Sequence, residues 1–494
     1  MPVPHTVVAQ TEYGAVRGTV ADGHVSFLGI RYAAAPTGPL RWRAPQPPQR
    51  WPGIADATAF GPVCPQPPGF AVQAGPADED CLRLNIFSPD PRRRDLPVMV
   101  WLHGGGFVWG SAAEYLPAAP LAERAVIVTV GYRLGVLGFL AHPDLTAEQP
   151  HTGSGNYALL DIFAALGWIS RNITAFGGDP RAVTLFGQSS GASLVGAALA
   201  APQGSGLFHR AIMQGATCAY PMPDLHQEQD RGLRLAREIV DLRRIPAAEL
   251  VPAVTERGFT AWGLVHGGGL LPLPLTAAFG SGAVNRVPVL QGTNRHDMRL
   301  EAAIAVYLHR RLKSSQAYVD TVTHEFGPSA AGQITETYPV GEHGTPALAY
   351  AAAATDGLLA CPARTVAGLL SSWMPVYCYE FADPDAPRLV PIPRTFPLGA
   401  YHGAELPSLF RMRTSPASLS EAQLRLSEQM ASYWSTFASS GDPNGESSPC
   451  WPRYEPGSGH VMSLLPEGCH LMTDFAEAHR CKFWDGLSWT APRR

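Results

Sequence analysis

Short apolar runs rich in β-branched residues recur along this 494-residue chain, at 98–102, 126–130, 183–186, 287–291 and 376–381. They are continuous, not alternating, which suits strands buried on both faces. Helical patterns lie between several of them. Residues 159–169 carry apolar side chains at spacings of three and four, 192–201 reads as an apolar helix, and 421–437 reads as a long amphipathic helix after Ser418 and Ser420. Strands alternating with helices imply an α/β fold built on a doubly wound, mainly parallel sheet flanked by helices. Nearer the start, residues 6–18 and 25–29 read as the arms of an antiparallel hairpin, so the sheet is expected to be mixed. Two long intervals, 258–284 and 302–355, are expected to be helical and to cover one end of the sheet. No internal repeat and no linker divides the chain, so one domain over 1–494 is expected.

Charge narrows the function. Lys and Arg total 37 against 41 Asp and Glu, a net charge of −4. Such a balance offers no footprint for nucleic acid or an acidic membrane surface. Residues 1–10 show neither a basic nor an apolar leader pattern, and no run reaches the ~18 apolar residues that span a bilayer. The expectation is a cytoplasmic protein, monomeric or weakly self-associating, with neither nucleic acid nor membrane as a partner. The eight cysteines (64, 81, 218, 361, 378, 450, 469, 481) form no C-x-x-C and no zinc spacing. Most are expected to be buried thiols. Cys64 and Cys81 are close enough in sequence to close a short loop, either bonded or reduced.

In an open α/β sheet, ligands bind at the carboxyl ends of the strands. Gly187-Gln188-Ser189-Ser190-Gly191 follows the run 183–186 and precedes the helix 192–201. That is the strand–turn–helix setting of a nucleophile elbow, which exposes a serine hydroxyl above a sheet. The motif alone also fits a glycine-rich helix start with Ser189 as its cap. His103-Gly104-Gly105-Gly106-Phe107 follows the run 98–102. Three glycines let a backbone present bare N–H groups to a developing oxyanion. A flexible turn or a phosphate loop is the other reading, but no G-K-[ST] follows. Together and in this order, the two motifs favour acyl transfer.

Around these motifs the chain resembles the type-B carboxylesterase family, which includes bacterial para-nitrobenzyl esterases and the cholinesterases. The resemblance runs almost end to end. It takes in Phe27-Leu28-Gly29-Ile30-Arg31-Tyr32-Ala33, Glu79-Asp80-Cys81-Leu82-Arg83-Leu84-Asn85, Tyr132-Arg133-Leu134-Gly135, Asn156-Tyr157-Ala158-Leu159-Leu160-Asp161, Phe176-Gly177-Gly178-Asp179-Pro180, Gly441-Asp442-Pro443-Asn444 and Trp451-Pro452. It implies an α/β-hydrolase fold, hydrolysis of a small-molecule ester through an acyl-enzyme, and no metal or organic cofactor.

The resemblance also completes a triad. In this fold the order along the chain is Ser, then Asp or Glu, then His. Gly292-Thr293-Asn294-Arg295-His296-Asp297 follows the run 287–291 and is similar to the family segment carrying the acid. It puts Asp297 on the acidic position, with Asp in place of the usual Glu and Met298 in place of Gly. An N-cap for a helix over 298–307 is the other reading of Asp297. Beyond it, His324, His343, His402, His460 and His470 lie in loop settings. Gly399-Ala400-Tyr401-His402-Gly403-Ala404-Glu405-Leu406 resembles the family's histidine segment, so His402 is the implied base and Glu405 a neighbour that steadies its loop. The N–H groups of Gly105, Gly106 and Ser190 are the implied oxyanion hole. Gln188 stands where the family carries Glu beside the histidine, Ser190 where it carries Ala, and Gly215 where it carries Ser. Arg41 with Glu79, and Arg133 with Asp161, match buried ion pairs of relatives. The leading expectation is a serine carboxylesterase. An acyltransferase or cyclase using the same triad, and an inactive adhesion relative, are the alternatives.

Overall fold

The computed structural model describes residues 6–21, 23–68, 73–216, 218–446 and 448–488, without the side chain of Ala21. Six strands precede the first glycine-rich loop: β1 (Thr6–Gln10), β2 (Ala15–Ala21), β3 (His24–Arg31), β4 (Ile54–Asp56), β5 (Arg83–Ser88) and β6 (Leu96–Leu102). Then come β7 (Tyr115–Pro117), β8 (Val126–Val130), β9 (Gly178–Gln188), β10 (Arg210–Gln214) and β11 (Val289–Asn294). The last four are β12 (Val376–Phe381), β13 (Phe410–Met412), β14 (Val461–Leu464) and β15 (His470–Met472). Thirteen form one sheet in the order β1-β2-β3-β5-β8-β6-β9-β10-β11-β12-β14-β15, with β4 beside β2. β7 and β13 make a separate antiparallel pair.

The centre of the sheet, from β8 to β14, is parallel throughout. Its flanks are antiparallel, except that the short β4 runs parallel to β2. Every residue of β8 and of β12 is buried, which is why both read as mainly apolar runs, interrupted only by Thr129 and Glu380. After β6 the chain crosses to β8 on one side, then returns to β9 on the other. The carboxyl ends of β6 and β9 therefore flank a topological switch point, where a crevice opens in such sheets. Leu102 pairs with Gly187 there, so the loops leaving the two strands are neighbours.

Helices pack on the sheet as expected, with longer bounds. The helix expected over 159–169 runs Tyr157–Asn172. With its 3-10 extension to Phe176 it has the length and apolar character to cross a bilayer, and 61% of its most apolar window is buried inside the fold. The expected amphipathic helix runs Glu421–Ser440. Ser420 and Gln423 close a reciprocal capping box at its start.

Three expectations are corrected. Residues 6–18 are not one hairpin arm but two strands, β1 and β2, which turn where Thr11 donates to the Gly14 carbonyl. Interval 258–284 is mostly irregular, with one helix at Leu275–Ser281. Its glycines and prolines (Gly263, Gly267, Gly268, Gly269, Pro272, Pro274) break the helical pattern. Interval 302–355 is helical as expected. Finally, half of the cysteines are not thiols: Cys64 bonds Cys81, and Cys361 bonds Cys481 across 120 residues. Cys218 and Cys378 are buried thiols.

The two ion pairs are present. Arg133 meets Asp161 at 2.7 Å, with both side chains almost wholly buried. Arg41 meets Glu79 at 2.5 Å and donates from Nη1 to the carbonyls of Leu242, Arg243 and Ile245. Removing one member of such a pair strands a buried charge at about 3–5 kcal/mol.

Candidate active site

The elbow is fixed by what glycine lacks. A Cβ on Gly191 would lie 2.2 Å from the Leu102 carbonyl oxygen, and one on Gly187 would lie 2.7 Å from the same atom. No L side chain fits such contacts, so the turn closes only with glycine at both places. Between them Ser189 adopts φ 57° and ψ −128°, a conformation that costs a non-glycine residue energy. The Ser189 amide donates to the Gln214 carbonyl at 2.8 Å, which pins the strained residue to the end of β10. The helix Ser190–Ala200 starts at once, and the Ser189 side chain does not cap it. The capping alternative therefore does not describe this serine.

The loop after β6 lies against the elbow. A Cβ on Gly104 would fall 3.0 Å from the Ser189 Cβ, and one on Gly105 2.1 Å from the Trp109 carbonyl oxygen. Gly105 (φ 122°) and Gly106 (φ 62°) turn the chain so that Val108 and Trp109 both donate to the Gly105 carbonyl. Among the described residues, nothing accepts from the amides of Gly105, Gly106 or Ser190. His103 is buried and stacked on Tyr132, and burial pushes its imidazole down to about 4, so it is neutral support for the loop.

Asp297 and His402 meet from opposite directions. The His402 Nδ1 lies 2.5 Å from Asp297 Oδ1, and the His402 amide donates to the Asp297 carbonyl at 2.9 Å. Asp297 is fully buried, and its Oδ2 accepts from the Asn294 amide at 3.0 Å. The next helix, Arg299–Tyr307, is not capped by the Asp297 side chain. Burial alone would lower His402, but the adjacent Asp297 carboxylate outweighs it and holds the imidazole above its ordinary range. His296 faces away: its Nδ1 accepts from the Ala400 amide at 3.3 Å, and burial pushes it down to about 3.

Two further groups complete the surroundings of the imidazole. Gln188 Nε2 lies 3.1 Å from His402 Nε2. The Gln188 NH2 can only donate, so at this contact His402 Nε2 accepts with its lone pair, in the neutral ring whose proton lies on Nδ1 toward Asp297. Positions 104, 215 and 403 around that amide are all glycine, and at each an added Cβ would lie within 4 Å of the Gln188 side chain. Glu405, also buried, accepts from Asn294 Nδ2 at 2.7 Å and from Gln214 Nε2 at 3.3 Å. It thereby ties the histidine loop to the ends of β10 and β11, as the resemblance implied. The sequence reading missed Asn294, whose amide also donates to the Tyr401 carbonyl at 2.7 Å.

Aromatic residues near the glycine loop divide between core and surface. Trp42 is buried and donates to the Val136 carbonyl at 2.8 Å. Phe107 packs edge-on against Phe139 with ring centroids 5.1 Å apart, while Trp109 is 40% exposed. Asn172, which opens an Asn172-Ile173-Thr174 sequon, is buried, its side-chain amide donating to the Trp168 carbonyl and to Glu12.

A sheet whose C-terminal edge carries a strained serine, a glycine loop and a carboxylate–histidine pair is that of an α/β-hydrolase. The carboxylesterase family model matches residues 5–484, and the chain belongs to that family. It is similar to the fumonisin B1 esterase of Sphingopyxis macrogoltabida, with 36% identity over 93% of this chain and 86% of the relative. It is similar also to the para-nitrobenzyl esterase of Bacillus subtilis (strain 168), at 33% identity over 94% and 95%. A solved PNB esterase structure superposes with a TM-score of 0.80 at 30% identity, over 96% of this chain and 99% of the other. The protein is a carboxylic-ester hydrolase with the α/β-hydrolase fold.

Proposed function

We propose that the chain hydrolyses small-molecule carboxylic esters by double displacement on Ser189, with His402 as general base and Asp297 as the acid that orients it. It works as one domain, a monomer or weak homo-oligomer, without metal or organic cofactor. The observation that carries this reading is the 2.5 Å contact between His402 Nδ1 and Asp297, which leaves the Nε2 lone pair facing the elbow.

In the first half-reaction Ser189 Oγ attacks the ester carbonyl while His402 Nε2 takes its proton. Asp297 fixes the imidazole tautomer and stabilises the imidazolium. The amides of Gly105, Gly106 and Ser190 receive the negative charge on the former carbonyl oxygen. Each such donor is worth ~3–4 kcal/mol in the transition state. The imidazolium protonates the departing alcohol. In the second half-reaction His402 activates water, which releases the acid and regenerates the serine. The Gln188 amide competes with Ser189 for the base's lone pair and must yield as the serine proton is transferred.

Trapping tests the reading. With a slow aryl ester, rapid acid quench and peptide mass mapping are expected to find the acyl group on Ser189 alone. Acylation of another residue, or turnover with no covalent species in the Ser189 peptide, would remove the assignment.

A further inference from the structure

A second histidine–carboxylate cluster lies behind the acid loop, and the mechanism above does not use it. His479 is 4% exposed. Its Nδ1 lies 2.6 Å from Asp356 Oδ1 and its Nε2 2.6 Å from Glu380 Oε1. Carboxylate oxygens only accept, so both ring nitrogens must donate and the ring is a cation. No lone pair is left for a metal.

The two carboxylates belong to the two elements that hold the acid loop. Glu380 lies on β12, in register with Thr293 of β11. Its other oxygen accepts from Arg295 Nη1 at 3.1 Å, and the Arg295 amide donates to the Phe381 carbonyl at 2.9 Å. Asp356 opens the π-helical turn Asp356–Ala360. Just before it, Thr355 Oγ1 accepts from the Met298 amide at 3.0 Å. Asp297 thus sits between two anchors, Arg295 on the β12 side and Met298 on the π-turn side. The disulfide from Cys361 to Cys481 joins the π-turn side to the segment carrying His479. Within this cluster the His479 ring is what joins that segment to β12.

We infer that His479 is a positioning residue for ester hydrolysis: as a buried imidazolium it locks the π-turn to β12 and so keeps Asp297 in contact with His402. The inference rests on reading Asp297 as the catalytic acid. Neutralising His479 leaves two buried carboxylates facing a ring with a single proton, and the two anchors separate.

Other charged and titratable groups surround the cluster. Arg295 faces Glu380. Arg480 lies over the Tyr338 ring and pairs with Glu342. Burial pushes His296 and His343 down and the Tyr338 hydroxyl, which donates to Asp356, up. Burial would lower His479 too, but Asp356 and Glu380 outweigh it and carry the ring up to about 9. A group raised in the folded protein holds its contribution at low pH and loses it as pH rises through that value. Activity should therefore fall on the alkaline side near pH 9.

The test is the pH profile of kcat and KM with an uncharged aryl ester, for wild type and His479→Gln. The wild type should lose kcat around pH 9 with KM little changed. His479→Gln should lack that limb and have kcat at neutral pH lowered roughly ten- to a hundredfold, the effect of a small misplacement of a catalytic group. If this variant does not fold, Glu380→Gln with His479→Gln removes the cation and one anion together, and should give the same low, limb-free profile. A folded variant with wild-type kcat, or with the alkaline limb unchanged, would overturn the proposal. Asp297→Asn measured in parallel separates the two readings. Wild-type activity there removes the acid itself, whereas an inactive Asp297→Asn beside an unaltered His479→Gln removes only the role of His479.

Discussion

The two halves of this site are built by different means. The nucleophile side, residues 102–109 with 187–191, is made of backbone: strand ends, a left-handed serine and glycines whose absent Cβ atoms allow the close approach. The acid side is made of side chains drawn from across the chain. Asn294 reaches Glu405 over 111 residues, and His479 reaches Asp356 over 123 and Glu380 over 99. A backbone site is compact in sequence and intolerant of added volume. A side-chain site is dispersed, and its failures should appear in rate and pH dependence before stability.

The comparison is tested hardest at its two chemical ends. Ser189→Ala should lower kcat roughly 10⁵–10⁶-fold with the fold unchanged, the scale of nucleophile loss in a serine hydrolase. A variant keeping more than a few per cent of wild-type kcat, measured with an activated aryl ester, would mean the elbow is not the reaction centre. Asp297→Asn should lower kcat by about 10⁴-fold and KM little, because an amide favours the wrong imidazole tautomer. Wild-type behaviour there, with another carboxylate variant inactive, would dissolve the acid side as drawn.

A third substitution addresses construction alone. Gly191→Ala places a methyl 2.2 Å from the Leu102 carbonyl, so the elbow must shift. Overpacking of this kind costs about 1–3 kcal/mol, and the thermal midpoint should fall along with activity. An unchanged midpoint would mean the turn is softer than its glycines imply.

The mildest change concerns Gln188, which touches the base from the nucleophile side. A carboxylate there would favour the imidazolium. Gln188→Glu should therefore move the acidic limb of kcat/KM upward by about half a unit to one unit. A limb that stays or moves down in a folded variant would uncouple residue 188 from the imidazole in solution.

The same division explains what the sequence disclosed. The runs at 126–130 and 376–381 match β8 and β12 to the residue, because central strands are buried on both faces and so are mostly apolar. The elbow and HGGG loop were legible from glycine spacing beside such strands. His402 and Asp297 needed the family resemblance, since a lone histidine or aspartate in a loop carries no spacing of its own. Asn294, His479 and the pairing of Cys361 with Cys481 were not legible. Their partners lie about a hundred residues away, and nothing local distinguishes them from surface polar residues or buried thiols. The hairpin of β1 and β2 was missed for a smaller reason: Glu12-Tyr13-Gly14 is a weak turn signal inside an apolar stretch.

The bond between Cys361 and Cys481 also acts on the chain when it is not folded. It closes a ring of about 120 residues that contains His402, β12, β14 and the helix Glu421–Ser440. A denatured polymer pinned in a ring of that size has far fewer conformations than an open one, a difference worth about 5 kcal/mol in the loop-entropy description. Reduction would thus favour the unfolded ensemble by that order while removing almost nothing from the native contacts. Persistent closures of this kind are commonest in oxidising surroundings. Thiol counting on the denatured, unreduced protein decides it: four free cysteines mean both rings are closed where the protein is made, and eight mean the chain folds and works as an open polymer.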